Sequence, residues 1–325
     1  MATPAPQPNT GPVAGSAHTK HALAGLTVLE RGWLSANNIV LHGAPGEGAT
    51  LVDTSHCVHA AQTVALLRHA LKGEPLVSVI NTHLHSDHCG GNATLQREFG
   101  VPVTVPVASF AAVQGWDETA LSFQATGQRC ERFAAQAWLK PGDVVPAGAY
   151  RWQALAAPGH DPHSLVLFEP QGGVLISADA LWENGFGVVF PELEGVAAFD
   201  DVAEVLDMIE RLPVRVVIPG HGAPFSDVAG SLQRARARLA GQRANPGRHA
   251  RHGAKVLIKY HLMEERLQGR ADLLAWVQAT PLFTAVWRRF ARREAASAGA
   301  WCETLLAELV GSRALRVIDD VVHDG

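Results

Sequence analysis

Charge is scarce in this chain: Asp, Glu, Lys and Arg make up 18% of its 325 residues, and the net charge is −4. Proteins that hold nucleic acid by neutralising phosphates need a strongly basic balance, so nucleic acid is not an expected partner. Long apolar runs are missing as well. None approaches the roughly 18–20 residues of a membrane-spanning helix, so no membrane association is expected. The four cysteines (Cys57, Cys89, Cys130 and Cys302) include no C-x-x-C pair. A disulfide framework is therefore not expected, and a reducing cytoplasm suits the chain better. Residues 1–15 are rich in Pro, Ala, Thr and Gly but lack the basic start and apolar centre of a signal peptide. Residues 1–22 are expected to form a disordered tail.

Histidine, by contrast, is plentiful, at 16 residues. The stretch Asn81-Thr82-His83-Leu84-His85-Ser86-Asp87-His88 holds three imidazoles and one carboxylate. The apolar, β-branched run Leu76–Ile80 precedes it and reads as a buried strand, so the cluster begins where that strand ends. Extended backbone sends His83 and His85 to the same side. Asp87 and His88 follow after the turn and can aim at a second point nearby. Imidazole and carboxylate are the usual ligands of zinc and other borderline divalent metals. Cys89 is next in line, and a small packing role is the expected one for it.

Similar strand ends recur. A strand near residues 151–156 runs into Pro158-Gly159-His160. Another, near 173–177, ends at Asp179, and a third, near 214–218, ends at Pro219-Gly220-His221. Each Pro-Gly is expected to give a sharp turn that presents the imidazole. An early strand ends at Asp53, and a helix over about residues 58–71 is expected to stop at Gly73. Residues 114–146 show weak periodicity with scattered aromatics. They read as an insertion over the site, although ordinary packing is the commoner use of such aromatics. Strands interleaved with helices in this order suggest two sheets with helices outside.

Together these residues resemble the metallo-β-lactamase-fold hydrolases, over roughly residues 26–225. The resemblance implies an αββα sandwich, an α/β (α+β) fold, with the site at one edge between the sheets. It implies that His83, His85 and His160 hold a first metal. Asp87, His88 and His221 would hold a second, and Asp179 would bridge the two. Asp53 would support the metal loop from behind. A bridging Asp179 resembles the glyoxalase II, lactonase and ribonuclease Z branches rather than true β-lactamases. The expected cofactors are two divalent cations, zinc first, with iron or manganese as alternatives. Asp87 and Asp179 are the candidate catalytic carboxylates. Two such metals, about 3.5–4 Å apart, share a water and lower its pKa toward about 7, giving a hydroxide for attack on a small ester, thioester or lactone.

Past residue 228 the composition changes. Residues 228–263 contain no Asp or Glu but many Arg and Lys. A mainly helical region is expected over residues 229–325, after a catalytic domain over 23–228. Helices are expected near residues 231–243, 252–267, 271–278, 282–293 and 301–310, then a short strand at 316–318, an order compatible with a winged-helix-like unit. By analogy with glyoxalase II, Lys255, Lys259, Tyr260 or His261 would reach the substrate. The alternative is a phosphodiesterase or nuclease using the basic helix. The appendage can also contribute to a homodimer.

Overall fold

The structure, a computed structural model, describes residues 23–325, so the tail expected over residues 1–22 lies outside the described residues. One sheet runs in the order β1 (Leu26–Leu29), β2 (Asn38–Leu41), β3 (Ala49–Val52), β4 (Leu76–Ile80), β5 (Val103–Pro106), β6 (Ala137–Leu139). The second runs β11 (Val216–Pro219), β10 (Val174–Ala178), β9 (Leu165–Glu169), β8 (Tyr150–Ala156), β7 (Val144–Ala147).

Strand alternation explains the layering. In β2, Ile39 and Leu41 face the second sheet, while Val40 faces the outer helices. In β10, Val174 and Ile176 join the core between the sheets, and Leu175 joins the opposite core. Both faces are covered, so these strands read as continuous apolar runs. Outside the first sheet, helix Ala60–Leu71 buries Val64, Leu67 and Leu71. Outside the second, helix Phe199–Arg211 buries Val202, Val205, Leu206 and Ile209. The result is the four-layer αββα arrangement.

Several local expectations are corrected. The first helix is preceded by a 3-10 turn, Cys57–His59, and its left-handed cap is Lys72 (φ 51°), one residue before Gly73. Residues 114–146 touch the metal loop where Gln128 Oε1 accepts from Ser86 N at 3.1 Å. They supply the edge strands β6 and β7, one to each sheet. Their aromatics pack together, with the Trp116 and Phe133 ring centroids 5.5 Å apart.

The C-terminal region builds its own core from Leu257, Ile258, Leu262, Leu273, Phe283, Trp301 and Leu305, to which Val188 and Leu193 contribute from the sandwich. Asn245 ends helix Val228–Ala244 and also caps helix Pro246–Glu265, accepting from the Arg248 N–H at 2.9 Å. That helix therefore starts six residues earlier than its sequence suggests. The helix expected over 282–293 divides into Pro281–Val286 and a π turn, Trp287–Ala291. A small sheet of β12 (Leu267–Gly269), β14 (Val321–Asp324) and β13 (Leu315–Ile318) joins these helices; only β13 was expected.

Candidate metal centre

All seven candidate ligands lie at one edge of the sandwich and are buried, His221 being the most exposed at 9%. His83 Nε2 lies 3.1 Å from His85 Nδ1, which lies 2.8 Å from His160 Nε2. The far nitrogens are already committed. His160 Nδ1 donates to the Val188 carbonyl at 2.6 Å, and Thr82 Oγ1 lies 3.2 Å from His83 Nδ1. Thr82 Oγ1 donates to Asp53 at 2.8 Å, so it accepts from His83. Two bare lone pairs, on His83 Nε2 and His160 Nε2, therefore converge on His85 Nδ1. One proton cannot satisfy both at once, whereas a cation can. Burial pushes the His83 imidazole well below its ordinary pKa, and it lowers His85 and His160 to about 4. At neutral pH these rings are unprotonated, the state a metal ligand needs.

The second group surrounds His88. Its Nδ1 donates to Asp53 Oδ2 at 2.8 Å, and its Nε2 is buried with no hydrogen-bond partner. That nitrogen stands 3.4 Å from Asp179 Oδ1 and 3.8 Å from Asp87 Oδ2. His221 Nε2 lies 3.0 Å from Asp87 Oδ2. Burial opposes a charge on His88, yet Asp53, Asp87 and Asp179 together hold its pKa well above the ordinary value. Burial likewise works against the charge on Asp87, but His88 and His221 overcome it and bring that carboxyl to about 2. Without a cation, this pocket draws in a proton to fill the same electrostatic role.

Asp179 stands between the groups. Its Oδ2 lies 3.3 Å from His160 Nε2, while Oδ1 faces His88 at 3.4 Å and His221 at 3.8 Å. Three sets of ligand atoms, His83/His85/His160, His83/His88/Asp179 and Asp87/His88/His221, are each close enough to share one ion. The donor chemistry and the unpartnered His88 nitrogen thus fit a pair of divalent cations.

Backbone details explain the placement. Asp53 sits in the left-handed region (φ 56°) and accepts from Thr82 N at 2.9 Å, from Thr82 Oγ1 and from His88. The two Pro-Gly-His turns differ in their physical cause. Gly159 has φ 130°, a conformation open to glycine. Gly220 is not in the left-handed region; a Cβ there would lie 2.3 Å from Asp179 Oδ1, so glycine provides clearance. Cys89 is fully buried and packs against the loop, its Sγ 3.4 Å from the Leu84 carbonyl.

Three side chains missed from sequence complete the site. Asn37 clamps the His221 loop, donating to the carbonyls of Pro219 at 2.9 Å and Gly222 at 2.7 Å. Trp182 donates its indole N–H to Asp179 Oδ1 at 3.2 Å. Trp33 stacks on His221 with centroids 5.6 Å apart and planes 15° apart. Trp182 follows Asp179 by three residues, the only hint that sequence offered; nothing local marks Asn37 or Trp33.

Of the residues expected to reach substrate, Tyr260 alone approaches, its hydroxyl 2.9 Å from Ser86 Oγ in the metal loop. Lys259 turns away to the Ala314 carbonyl and the Asp324 carboxylate. His261 stacks on Trp276, centroids 3.8 Å apart, and bonds to Gln268. Lys255 pairs with Glu308 at 3.1 Å. Helical spacing explains the split: 259, 260 and 261 differ by about 100° each around the helix, so only one of them faces the loop.

Compared with protein families, residues 31–221 match the model described as the metallo-beta-lactamase superfamily. The chain belongs to the metallo-β-lactamase superfamily. The hydroxyacylglutathione hydrolase of Brucella ovis is 28% identical over 154 residues, 47% of this chain and 48% of that protein. The Brucella anthropi protein of the same name is 28% identical over 167 residues, 51% and 53% of the two chains. The chain thus spans about half the length of the curated relatives it matches. A metallo-β-lactamase family protein from Thermus thermophilus shares the fold at TM-score 0.54 and 23% identity, over 93% of this chain and 99% of that one. TTHA1623, solved in a di-iron-bound form, is similar at TM-score 0.51 and 24% identity, over 64% and 98%. The matched span carries the His/Asp clusters that could hold metal ions.

Proposed function

We propose that this superfamily member is a dinuclear metallohydrolase acting on a small ester, thioester or lactone, with zinc as the preferred metal. The observation that carries the reading is Asp179, which offers one carboxylate oxygen to each ligand group. His83, His85 and His160 would hold one cation; Asp87, His88 and His221 would hold the other. When bound, these cations supply a Lewis acid for a carbonyl oxygen and lower the pKa of water toward about 7.

The chain's own residues then have distinct tasks. Asp53 fixes the His88 ring with Nε2 facing the site. Asp87, ionised down to about pH 2, is too weak a base to store a proton, so it orients a nucleophilic water by accepting its hydrogen bond. Tyr260, raised well above its ordinary pKa by burial, keeps its proton and is a donor for the substrate. Phe190 packs edge-on against His85 at 5.1 Å and His160 at 5.6 Å, which limits water on that side.

No observation favours the nuclease alternative. Most of the basic residues that suggested it are paired with acids, among them Arg236 with Asp207 and Glu210, Arg251 with Glu294 and Glu308, and Lys255 with Glu308; among the described residues, Arg238 and Arg248 are not. The test is to load the chelated protein with zinc and assay an ester, thioester and lactone panel. Two equivalents bound with turnover of at least one carbonyl class supports the reading. Full turnover by metal-loaded Asp179→Asn, or turnover of phosphodiesters alone, overturns it.

A further inference from the structure

We propose that Trp33, Trp182 and Phe190 form the walls of an acyl pocket, and that the substrate is a neutral ester, thioester or lactone with an apolar acyl chain. The inference rests on the hydrolytic reading above and narrows it to a substrate class.

Trp33 is 55% exposed, an unusual position for the largest apolar side chain, and it lies directly on the ligand His221. The loop that carries it is anchored on both sides of the ring. The Arg31 N–H bonds to Asn37 Oδ1 at 2.9 Å, Ala36 N to the Asp87 carbonyl at 3.0 Å, and Asn37 N to the Gly220 carbonyl at 2.7 Å. The loop is thus tied to the metal loops, and the ring itself rests on His221 and Trp182.

Trp182 extends the wall. It stands edge-on to Trp33 at 5.7 Å and to His221 at 5.4 Å. Its only polar atom is already given to Asp179, so what it offers a ligand is apolar. The Trp182–Gly185 turn is closed by a 2.7 Å backbone bond and held from outside by Arg234, which donates to the Glu183 carbonyl at 2.8 Å. Phe190 covers the other ligand group, against His85 and His160. Aromatic surface therefore flanks both halves of the metal centre. Apolar walls around a few fixed polar groups are the usual make-up of a small-molecule pocket.

Several nearby cations are committed elsewhere, whereas Arg238, its guanidinium 5.4 Å from the Phe186 ring centroid, is not ion-paired among the described residues. Lys255 pairs with Glu308, Lys259 with Asp324, and Arg129 with Glu264 and Glu265. At the C-terminal side of the loop stands Tyr260, a neutral donor. This lining suits an uncharged substrate better than a glutathione conjugate with its two carboxylates.

The test compares p-nitrophenyl acetate, butyrate and octanoate with a hydroxyacylglutathione thioester, using zinc-loaded wild type and Trp33→Ala, and follows octanamide binding by tryptophan fluorescence. Expected are a kcat/KM that rises with acyl length, a conjugate at least tenfold poorer than octanoate, and saturable quenching by octanamide. Trp33→Ala should lose about twofold on acetate and about tenfold on octanoate, the latter about 1.4 kcal/mol. A preference for the conjugate, or a Trp33→Ala loss independent of acyl length, overturns the pocket but leaves the hydrolase intact. No turnover of any substrate overturns the hydrolase reading, and the octanamide titration then decides the pocket by itself: no quenching, or quenching unchanged in Trp33→Ala, overturns it.

Discussion

Replacing Asp53 with Asn should weaken metal binding in one half of the site while sparing the other. The Asp53 carboxylate accepts three hydrogen bonds, from Thr82 N, Thr82 Oγ1 and His88 Nδ1, at 2.8–2.9 Å. An amide keeps one oxygen for Thr82 N but turns an N–H₂ toward both the Thr82 hydroxyl and the His88 Nδ1–H, which share Oδ2. Two donors then face each other in a buried place. The least costly escape is for His88 to carry its proton on Nε2, which removes the lone pair a cation would use. Partners that orient metal-bound histidines are typically worth 10–100-fold in affinity, about 1.4–2.7 kcal/mol. Asp53 reaches His83 only through the Thr82 hydroxyl, which can still accept from His83, and it does not touch His85 or His160, so the other cation should remain. The assay is a competitive zinc titration of the chelated protein with metal content measured after dialysis. One tight equivalent and one weakened about 10–100-fold is the expected result. Two equivalents at wild-type affinity would refute the orienting role.

Gly220→Ala places a methyl 2.3 Å from Asp179 Oδ1 and should lower metal occupancy, measured by elemental analysis, while the fold persists by circular dichroism. Tyr260→Phe removes the hydroxyl 2.9 Å from Ser86 and should cost about 0.5–1.5 kcal/mol in urea unfolding of the metal-free protein. Metal-free protein should also lose stability as pH falls from 6.5 toward about 4, because His85 and His160 stay neutral when folded but protonate when unfolded. Their depressed values make the unfolded chain bind more protons in that window, on the order of 3 kcal/mol per ring. His88 has the opposite sign: its contribution is complete below 6.5 and fades only as pH rises through its elevated folded value. A flat stability profile between pH 4 and 6.5 would contradict this account.

The ligands were legible in sequence because each lies at or in the loop just beyond the end of an apolar strand, and strand ends are marked by composition; Asp87 and His88 sit on a short helix, Ser86–Cys89, within the loop after β4. The two sheets followed from the same runs, since both faces of β2 and β10 are buried. What was not legible depends on tertiary approach. Asn37 bonds to carbonyls some 180 positions away in the chain. Gly220 looks like a turn former but serves as clearance beside Asp179. Lys259 and His261 flank Tyr260 in sequence, yet the helix turns them toward Asp324 and Trp276. The second helix begins at Pro246 rather than near 252, because the Asn245 side chain caps it just as the first helix ends.

The central claim is that two cations sit side by side on these seven side chains. Anomalous diffraction from crystals of zinc-loaded protein tests it most directly. The account predicts two peaks about 3.5–4 Å apart, with Asp179 contacting both. A single peak, or two peaks with Asp179 bound to neither, would contradict it.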